Sequence, residues 1–456
     1  MKMKINHIIA AAAMGAAALG ATAQDTRSGY FLEDYTYRFQ MNPAMENTRN
    51  FVAIPVIGNV NVDMHGTLGV SDVIYNVNGR TTTFMNPGVS ASEVMGNIPD
   101  NSRIGADMKL TLLAAGFKAF GGYNTVAINA RASVDARLPK SIFSLLKEGA
   151  ENRTYDISDL GARATAFAEI ALGHSHKIND KWRVGGSLKF LLGGAFAEAR
   201  LDHAHLELGA NDWNVVSNAT LESSIKGLRY ETDVNEHTGH RYVSGMDVDG
   251  TGLNGFGIAF DLGAVYKPHR DWTISAAILD LGFISWSNNM VASTNGEQRF
   301  NTDRYTFNVN DDKPNSFKNE WDEIRDDLSS LYELNDNGDE GGKTRALAAT
   351  MNIGVEYTLP VYRKLTFGLL NTTRIAGDYS WTDFRVSANV APVKCFDASV
   401  NMAFGTFGVG FGWLLNFHTK GFNMFLGMDH TLGSVTKEFI PLSSNGSVNM
   451  GINIPF

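Results

Sequence analysis

The chain has 456 residues and one cysteine, Cys395, so no disulfide can staple it and no zinc site of Cys/His finger spacing is possible. Beyond the N-terminus no run of about 18 apolar residues occurs, which excludes a helical membrane protein. Only 19% of residues are charged, below the roughly 25% usual in soluble globular chains. The formal charge is -9 and Lys and Arg form no clusters, which excludes nucleic acid as a partner, because neutralising phosphates takes grouped cations. Catalytic motifs are missing too. There is no Gly-x-Ser-x-Gly elbow, P-loop or His-Glu-x-x-His, and "GVGFG" (Gly408 to Gly412) lies in mid-strand. Neither an enzyme nor a cofactor is expected. What is present is apolar, at 44% hydrophobic and 11% aromatic residues, which excludes a disordered chain.

The N-terminus sets the compartment. Lys2 and Lys4 precede an apolar, Ala-rich stretch from Ile8 to Ala21, and Ala21-Thr22-Ala23 is a small-x-small site before Gln24. This order predicts a secretory signal peptide over residues 1–23, cleaved near Ala23/Gln24. No cysteine follows the site, so a lipoprotein anchor is not expected.

The main signal is alternation. In "GSVNMGINIPF", Val448, Met450, Ile452, Ile454 and Phe456 share one face, and Ser447, Asn449, Gly451 and Asn453 the other. "ALAATMNIGVEYTL" sets Leu347, Met351, Ile353, Val355 and Tyr357 against Thr350, Asn352, Gly354 and Glu356. A period of two buries or exposes one face of a strand and cannot do so on a helix. The same pattern recurs at 52–62, 126–138, 184–192, 256–266, 365–369, 384–390, 398–404, 409–417 and 422–428, and less regularly near 107–118, 162–177, 205–225 and 271–287. This predicts an all-β, antiparallel transmembrane barrel of about fourteen strands over residues 51–456. Short polar turns alternate with long segments near 139–161, 227–254 and 288–345, as periplasmic turns alternate with external loops. Trp182 and Trp272 start strands after short turns, where an interfacial aromatic belt is expected. Within the last long loop, Phe317, Trp321, Ile324, Leu328 and Leu331 share one helical face, predicting a helix over 316–334.

A soluble β-sandwich also alternates. The decisive feature is the last strand, which stays amphipathic up to Phe456 and would leave an apolar edge unpaired in a soluble protein. Closure into a barrel removes that edge. A terminal aromatic on such a strand resembles the signal read by outer-membrane assembly machinery. Outer-membrane lipid and that machinery are the expected partners, and the Gram-negative outer membrane the expected location.

Two segments carry a family resemblance. "GFGIAFDLGAVYKPHRDWTISAAILDLGFISW", with Asp261-Leu262-Gly263 in its first strand and Asp280-Leu281-Gly282 in its second, resembles a hairpin of FadL-related barrels, including Bacteroidetes-type and PorV-like relatives. Asn42-Pro43-Ala44 is similar to the Asn-Pro-Ala motif of the FadL hatch. The resemblance implies that residues 24–50 form a plug inside the barrel and that the protein passes hydrophobic small molecules. For PorV-like relatives it implies a non-transporting scaffold or shuttle for secreted proteins.

With the polar face inward, Arg131, Asp135, Arg137, Glu169, Lys189, Asp261, Glu356 and Arg385 point into the lumen, together with Asn129, Arg183, Asn352, Asn416 and Asp429. Inward charges must be paired or hydrated, and mixed signs on the same strands predict a salt-bridge network. His174 with His176, and His203 with His205, each share a strand face, but four ligands do not converge. The acidic stretch Asp336 to Glu340 does not fit a calcium-loop pattern in any register. No metal site is expected.

Overall fold

The computed structural model describes residues 3–4, 26–148, 153–208, 213–235, 239–250, 252–301, 331, 333–431 and 445–456. The signal peptide expected over 1–23 and the helix expected over 316–334 lie, but for a few positions, outside the described residues.

Fourteen antiparallel strands close into a barrel and follow one another around the wall in chain order. The first is made of Phe51–Ala53 and Asn59–Gly66. The others are Asn101–Ala119, Gly122–Pro139, Gly161–Lys177, Trp182–Leu208, Gly255–His269, Trp272–Trp286, Ala349–Thr358, Leu365–Ile375, Trp381–Val393, Phe396–Gly405, Gly408–His418, Asn423–Met428 and Gly446–Pro455. The last pairs with the first, Val448 opposite Val62, and so leaves no edge. Helices are few and short among the described residues: Val70–Val73, Ala91–Asn97 and Lys140–Glu148. None is long and apolar enough to cross a membrane.

Burial follows the alternation, with the usual polarity reversed. Along Trp381–Val393, Phe384 and Val386 are exposed while Asp383, Arg385, Ser387 and Asn389 are buried. The same holds for exposed Val400, Met402 and Phe404 beside buried Ser399, Asn401 and Ala403. An outer face of Phe, Leu, Val and Met over a polar interior is stable only where the surroundings are themselves apolar. At the end where strands are joined by short turns, aromatic pairs ring the wall. Trp182 stacks on Tyr266 at 4.4 Å, Phe396 meets Phe417 at 4.7 Å and Trp272 meets Tyr357 at 4.8 Å.

Two departures from regular strands matter. The stretch 205–225, expected as one strand, is divided between the far end of Trp182–Leu208 and the start of Trp213–Ile225. Trp182–Leu208 outlasts its wall neighbour Gly255–His269, and Trp213–Ile225 takes over as its partner. The segments expected as long loops also carry sheet at this end of the barrel. Met290–Ser293, Gln298–Asn301, Asn335–Asp339 and Lys343–Ala346 extend the wall, and the acidic stretch forms one of these pieces. The second departure is in the first strand, where residues 54–58 bow out between Ala53 and Asn59. Pro55 has no N–H to give the ladder, Val56 takes φ +70°, and Gly58 has no room for a side chain between Ala53 and the Tyr37 hydroxyl.

Candidate functional site

Residues 26–50 enter the lumen and form its main apolar core. Two short 3-10 turns, Arg27–Gly29 and Arg38–Gln40, fold the segment back on itself. The turns bring Tyr30, Phe31, Leu32, Tyr35, Tyr37, Phe39 and Met41 together with Phe51, Leu370, Leu414 and Phe425 of the wall. The rings meet edge-on, Tyr35 on Phe425 at 5.0 Å and Tyr37 on Phe51 at 5.9 Å. Buried hydroxyls find wall partners. Tyr37 Oη donates to Asn453 Oδ1 at 2.7 Å, and Tyr30 Oη shares a 3.0 Å bond with Ser275 Oγ.

Arg27 ties the start of the segment to three strands or strand ends. Its guanidinium reaches Asp383 Oδ2 at 3.1 Å, Asp429 Oδ2 at 3.3 Å and Asp63 Oδ2 at 3.4 Å. Ser28 adds backbone and hydroxyl bonds to Asp429 Oδ1, at 2.7 and 2.6 Å. Further down, Asn42 Oδ1 accepts from the Ala44 N–H at 3.0 Å, closing a turn, while its Nδ2 donates to the Ala276 and Ala264 carbonyls at 3.3 and 3.4 Å. This turn rests on two glycines that face each other across neighbouring strands, Gly185 and Gly263. A Cβ at Gly185 would stand 2.2 Å from the Pro43 carbonyl oxygen, and one at Gly263 2.1 Å from Asn42 Oδ1.

Above the segment lies a buried ion network. Arg131 bonds Asp280 through both terminal nitrogens at 2.9 Å and Glu169 at 2.9 Å. Lys189 bridges Asp280 at 2.7 Å and Asp261 at 2.8 Å. Asp280 takes φ +61° at a bulge opposite Asp261, and its N–H donates to Asp261 Oδ1 at 2.8 Å. Nearby, Arg374 grips Asp107 at 2.8 and 2.9 Å, and His65 lies between Asp107 and Asp135.

This network borders a lumenal cavity of ≈ 110 Å³ floored by Gln40 and Met41. One wall is apolar, formed by Phe167, Phe196, Leu279, Ile284, Trp286 and Leu347. The other presents Lys109, Arg131, Lys189 and Arg374 together with Asp107 and Asp280, the carboxylates that Arg374, Arg131 and Lys189 bond. Arg345 lies over the Phe196 ring at 4.0 Å and is anchored by Glu222 from the extended sheet.

Residues 43–429 match the protein family described as a family of unknown function, DUF5723. The chain belongs to this family. No curated protein matches it in sequence. Among solved structures it is similar to the Ralstonia pickettii toluene transporter TbuX, at 9% identity over 96% of this chain and 95% of that one, with a TM-score of 0.41. The Pseudomonas putida toluene transporter TodX is similar at 8% identity over 96% and 94%, TM-score 0.38. A Pseudomonas aeruginosa FadL homologue is similar at 9% identity over 96% and 98%, TM-score 0.36. At this level the likenesses assign no activity.

In this DUF5723 barrel the residues expected at the site fall into separate groups. Arg131, Glu169, Lys189 and Asp261 meet in the network beside the cavity. Asp135 lies next to it, 3.6 Å from Arg163, and Arg163 and Arg137 both stack on Tyr379 near the rim. Arg385 joins the Arg27 cluster through Asp383, at 2.8 Å. Glu356 stands apart from both, two positions before the short-turn end of Ala349–Thr358. Asn42, Pro43 and Ala44 form the turn on the glycine pair, and the Phe456 N–H donates to the Asn50 carbonyl at 3.0 Å. His174 and His176 are exposed near a short turn, rings 6.0 Å apart, and His203 and His205 lie beyond the barrel's opposite end. Sequence reasoning missed Arg27, Asp63, Asp107, Asp280, Arg374 and Asp383. A signal for Asp280 was present: Asp-Leu-Gly occurs once in each strand of a hairpin, and the two aspartates end on one lysine.

Proposed function

We propose that this chain is a Gram-negative outer-membrane β-barrel that gives hydrophobic small molecules passive access across the membrane, with residues 26–50 as its plug. The observation that carries the reading is the cavity above the plug. Its apolar wall suits a hydrophobic body, and the paired charges opposite can hydrogen-bond one polar end, a carboxylate included. The FadL-like resemblance of the Asp-Leu-Gly hairpin and of Asn42-Pro43-Ala44 supports it, as does the apolar outer face. Uptake of a fluorescent medium-chain carboxylic acid by cells carrying the barrel tests it. Leu347→Arg, which fills the cavity, is expected to cut uptake several-fold while a small sugar is unaffected. Uptake equal to that of cells lacking the protein would sink the transport reading.

A second reading is a non-transporting scaffold or shuttle for secreted proteins, with which the dense packing of residues 26–50 against the wall is compatible. It predicts no uptake and a co-purifying secreted protein.

Membrane insertion has its own test. Leu369 is exposed midway along Leu365–Ile375. Leu369→Arg is expected to destabilise the barrel in lipid vesicles by roughly 2–4 kcal/mol. An unchanged urea midpoint would place that face outside the hydrocarbon.

A further inference from the structure

At the short-turn end of the barrel, three side chains from distant parts of the chain converge. Asp34 belongs to the inward segment, Asp397 is the second residue of Phe396–Gly405, and His418 is the last of Gly408–His418. One donor atom from each lies within 4.8 Å of the other two. His418 Nε2 is 3.2 Å from Asp397 Oδ2 and 3.7 Å from Asp34 Oδ2. Two donors bound tetrahedrally to one ion at about 2.0–2.1 Å stand roughly 3.3 Å apart, a separation these two distances bracket.

The imidazole itself points to a ligand. His418 is 5% exposed, yet neither Nδ1 nor Nε2 makes a hydrogen bond. A buried ring with both nitrogens unsatisfied is costly, and a bound ion removes part of that cost. The two carboxylates, by contrast, are already oriented. Thr48 Oγ1 donates to Asp34 Oδ1 at 2.6 Å, leaving Oδ2 toward the histidine, and Asn416 Nδ2 donates to Asp397 Oδ2 at 3.2 Å. Such outer contacts are how ligands are held for a metal. A cavity of ≈ 30 Å³ adjoins the cluster, lined in part by Asp34, His418 and Asn47, and the Asn47 Oδ1 also has no hydrogen-bond partner. That is room for two or three waters to complete a coordination shell, since each needs about 10–15 Å³.

We propose that Asp34, Asp397 and His418 bind one divalent first-row transition ion and thereby fasten the inward segment to the wall. Two carboxylates and an imidazole favour Zn²⁺, Mn²⁺ or Fe²⁺ over Ca²⁺ and Mg²⁺, which prefer all-oxygen shells. The two carboxylates balance the charge of the ion. With Asp34 on one side and Asp397 and His418 on the other, the ion joins the inward segment to the wall.

The test uses the full mature protein in detergent, stripped with EDTA and titrated with Zn²⁺ by calorimetry and with Co²⁺ by visible absorption. One equivalent is expected to bind, with Co²⁺ d–d bands, a higher unfolding temperature and less proteolysis of the inward segment. Asp34→Asn keeps an acceptor for Thr48 while removing a charged ligand. It should weaken binding by more than the roughly 10–100-fold typical of losing an outer-shell partner. His418→Gln should do the same. Heat-modifiable migration on gels confirms that each variant is folded, and Asp34→Asn decides alone if His418→Gln does not fold. The proposal is overturned if the wild type binds neither ion at millimolar concentration, or if the Co²⁺ spectrum survives in folded Asp34→Asn.

Discussion

Replacing Arg27 with alanine is expected to release the inward segment and to cost the folded barrel roughly 3–5 kcal/mol, the range for removing one partner of a buried ion pair. The guanidinium is 5% exposed and serves Asp63, Asp383 and Asp429 together. Arg385 remains beside Asp383 and Asp429, so those two keep a cation. Asp63 does not share that cation, and its Oδ1 already has no hydrogen-bond partner. The penalty therefore falls mainly on Asp63, a carboxylate buried in the first wall strand. Arg27→Lys should recover only part of the loss, because one ammonium cannot reproduce the fork that reaches three carboxylates. Urea unfolding in micelles measures the stability, and dye leak from proteoliposomes measures the seal. If Arg27→Ala alters neither, Arg27 does not hold the segment in place.

Valine at Gly185 is expected to unseat the Asn42-Pro43-Ala44 turn while leaving the wall closed. The new side chain would occupy the space of the Pro43 carbonyl and the Ala44 N–H, at 2.2 and 2.6 Å from its Cβ. Overpacking of this kind costs about 1–3 kcal/mol where neighbours can shift, and here the neighbour able to shift is the inward segment. The Asn42 bonds to Ala264 and Ala276 would be lost with it. Dye leak should then approach that of a chain lacking residues 24–50. Gly186→Val supplies the control: its Cβ meets nothing nearer than 3.5 Å, so the seal should stay intact. Equal leak from the two variants would mean that the turn does not depend on the glycine pair.

Strand class and closure were legible because alternation is a local property. Most of the fourteen wall strands write an apolar face every second residue, whatever their distance from their partners. The end of the wall was not legible in this way. A register shift between Leu201 and His203 breaks the alternation of the long strand although its ladder continues. The polar wall residues could be assigned inward from the pattern, but not grouped. Lys189 and Asp280 lie on strands that do not pair with each other, and the bulge with φ +61° that brings the carboxylate round to the lysine leaves no trace in composition. Asn42-Pro43-Ala44 was visible as a motif, and its glycine seat only as two residues of a Gly-rich chain. Asp34, Asp397 and His418 were never candidates, because metal spacing is sought along the chain and these meet only when the barrel closes.

The inward segment also imposes an order of assembly. Its anchors are Asp63 near the start of the barrel, Asp383 and Asp429 late in it, and Asn453 in the final strand. Residues 26–50, made before the wall, therefore have no complete binding surface until the last strand has paired. Contacts of such sequence separation form slowly, since loop closure must precede them. Folding should accordingly show two phases, with wall formation first and protection of residues 26–50 only after the last strand has found the first.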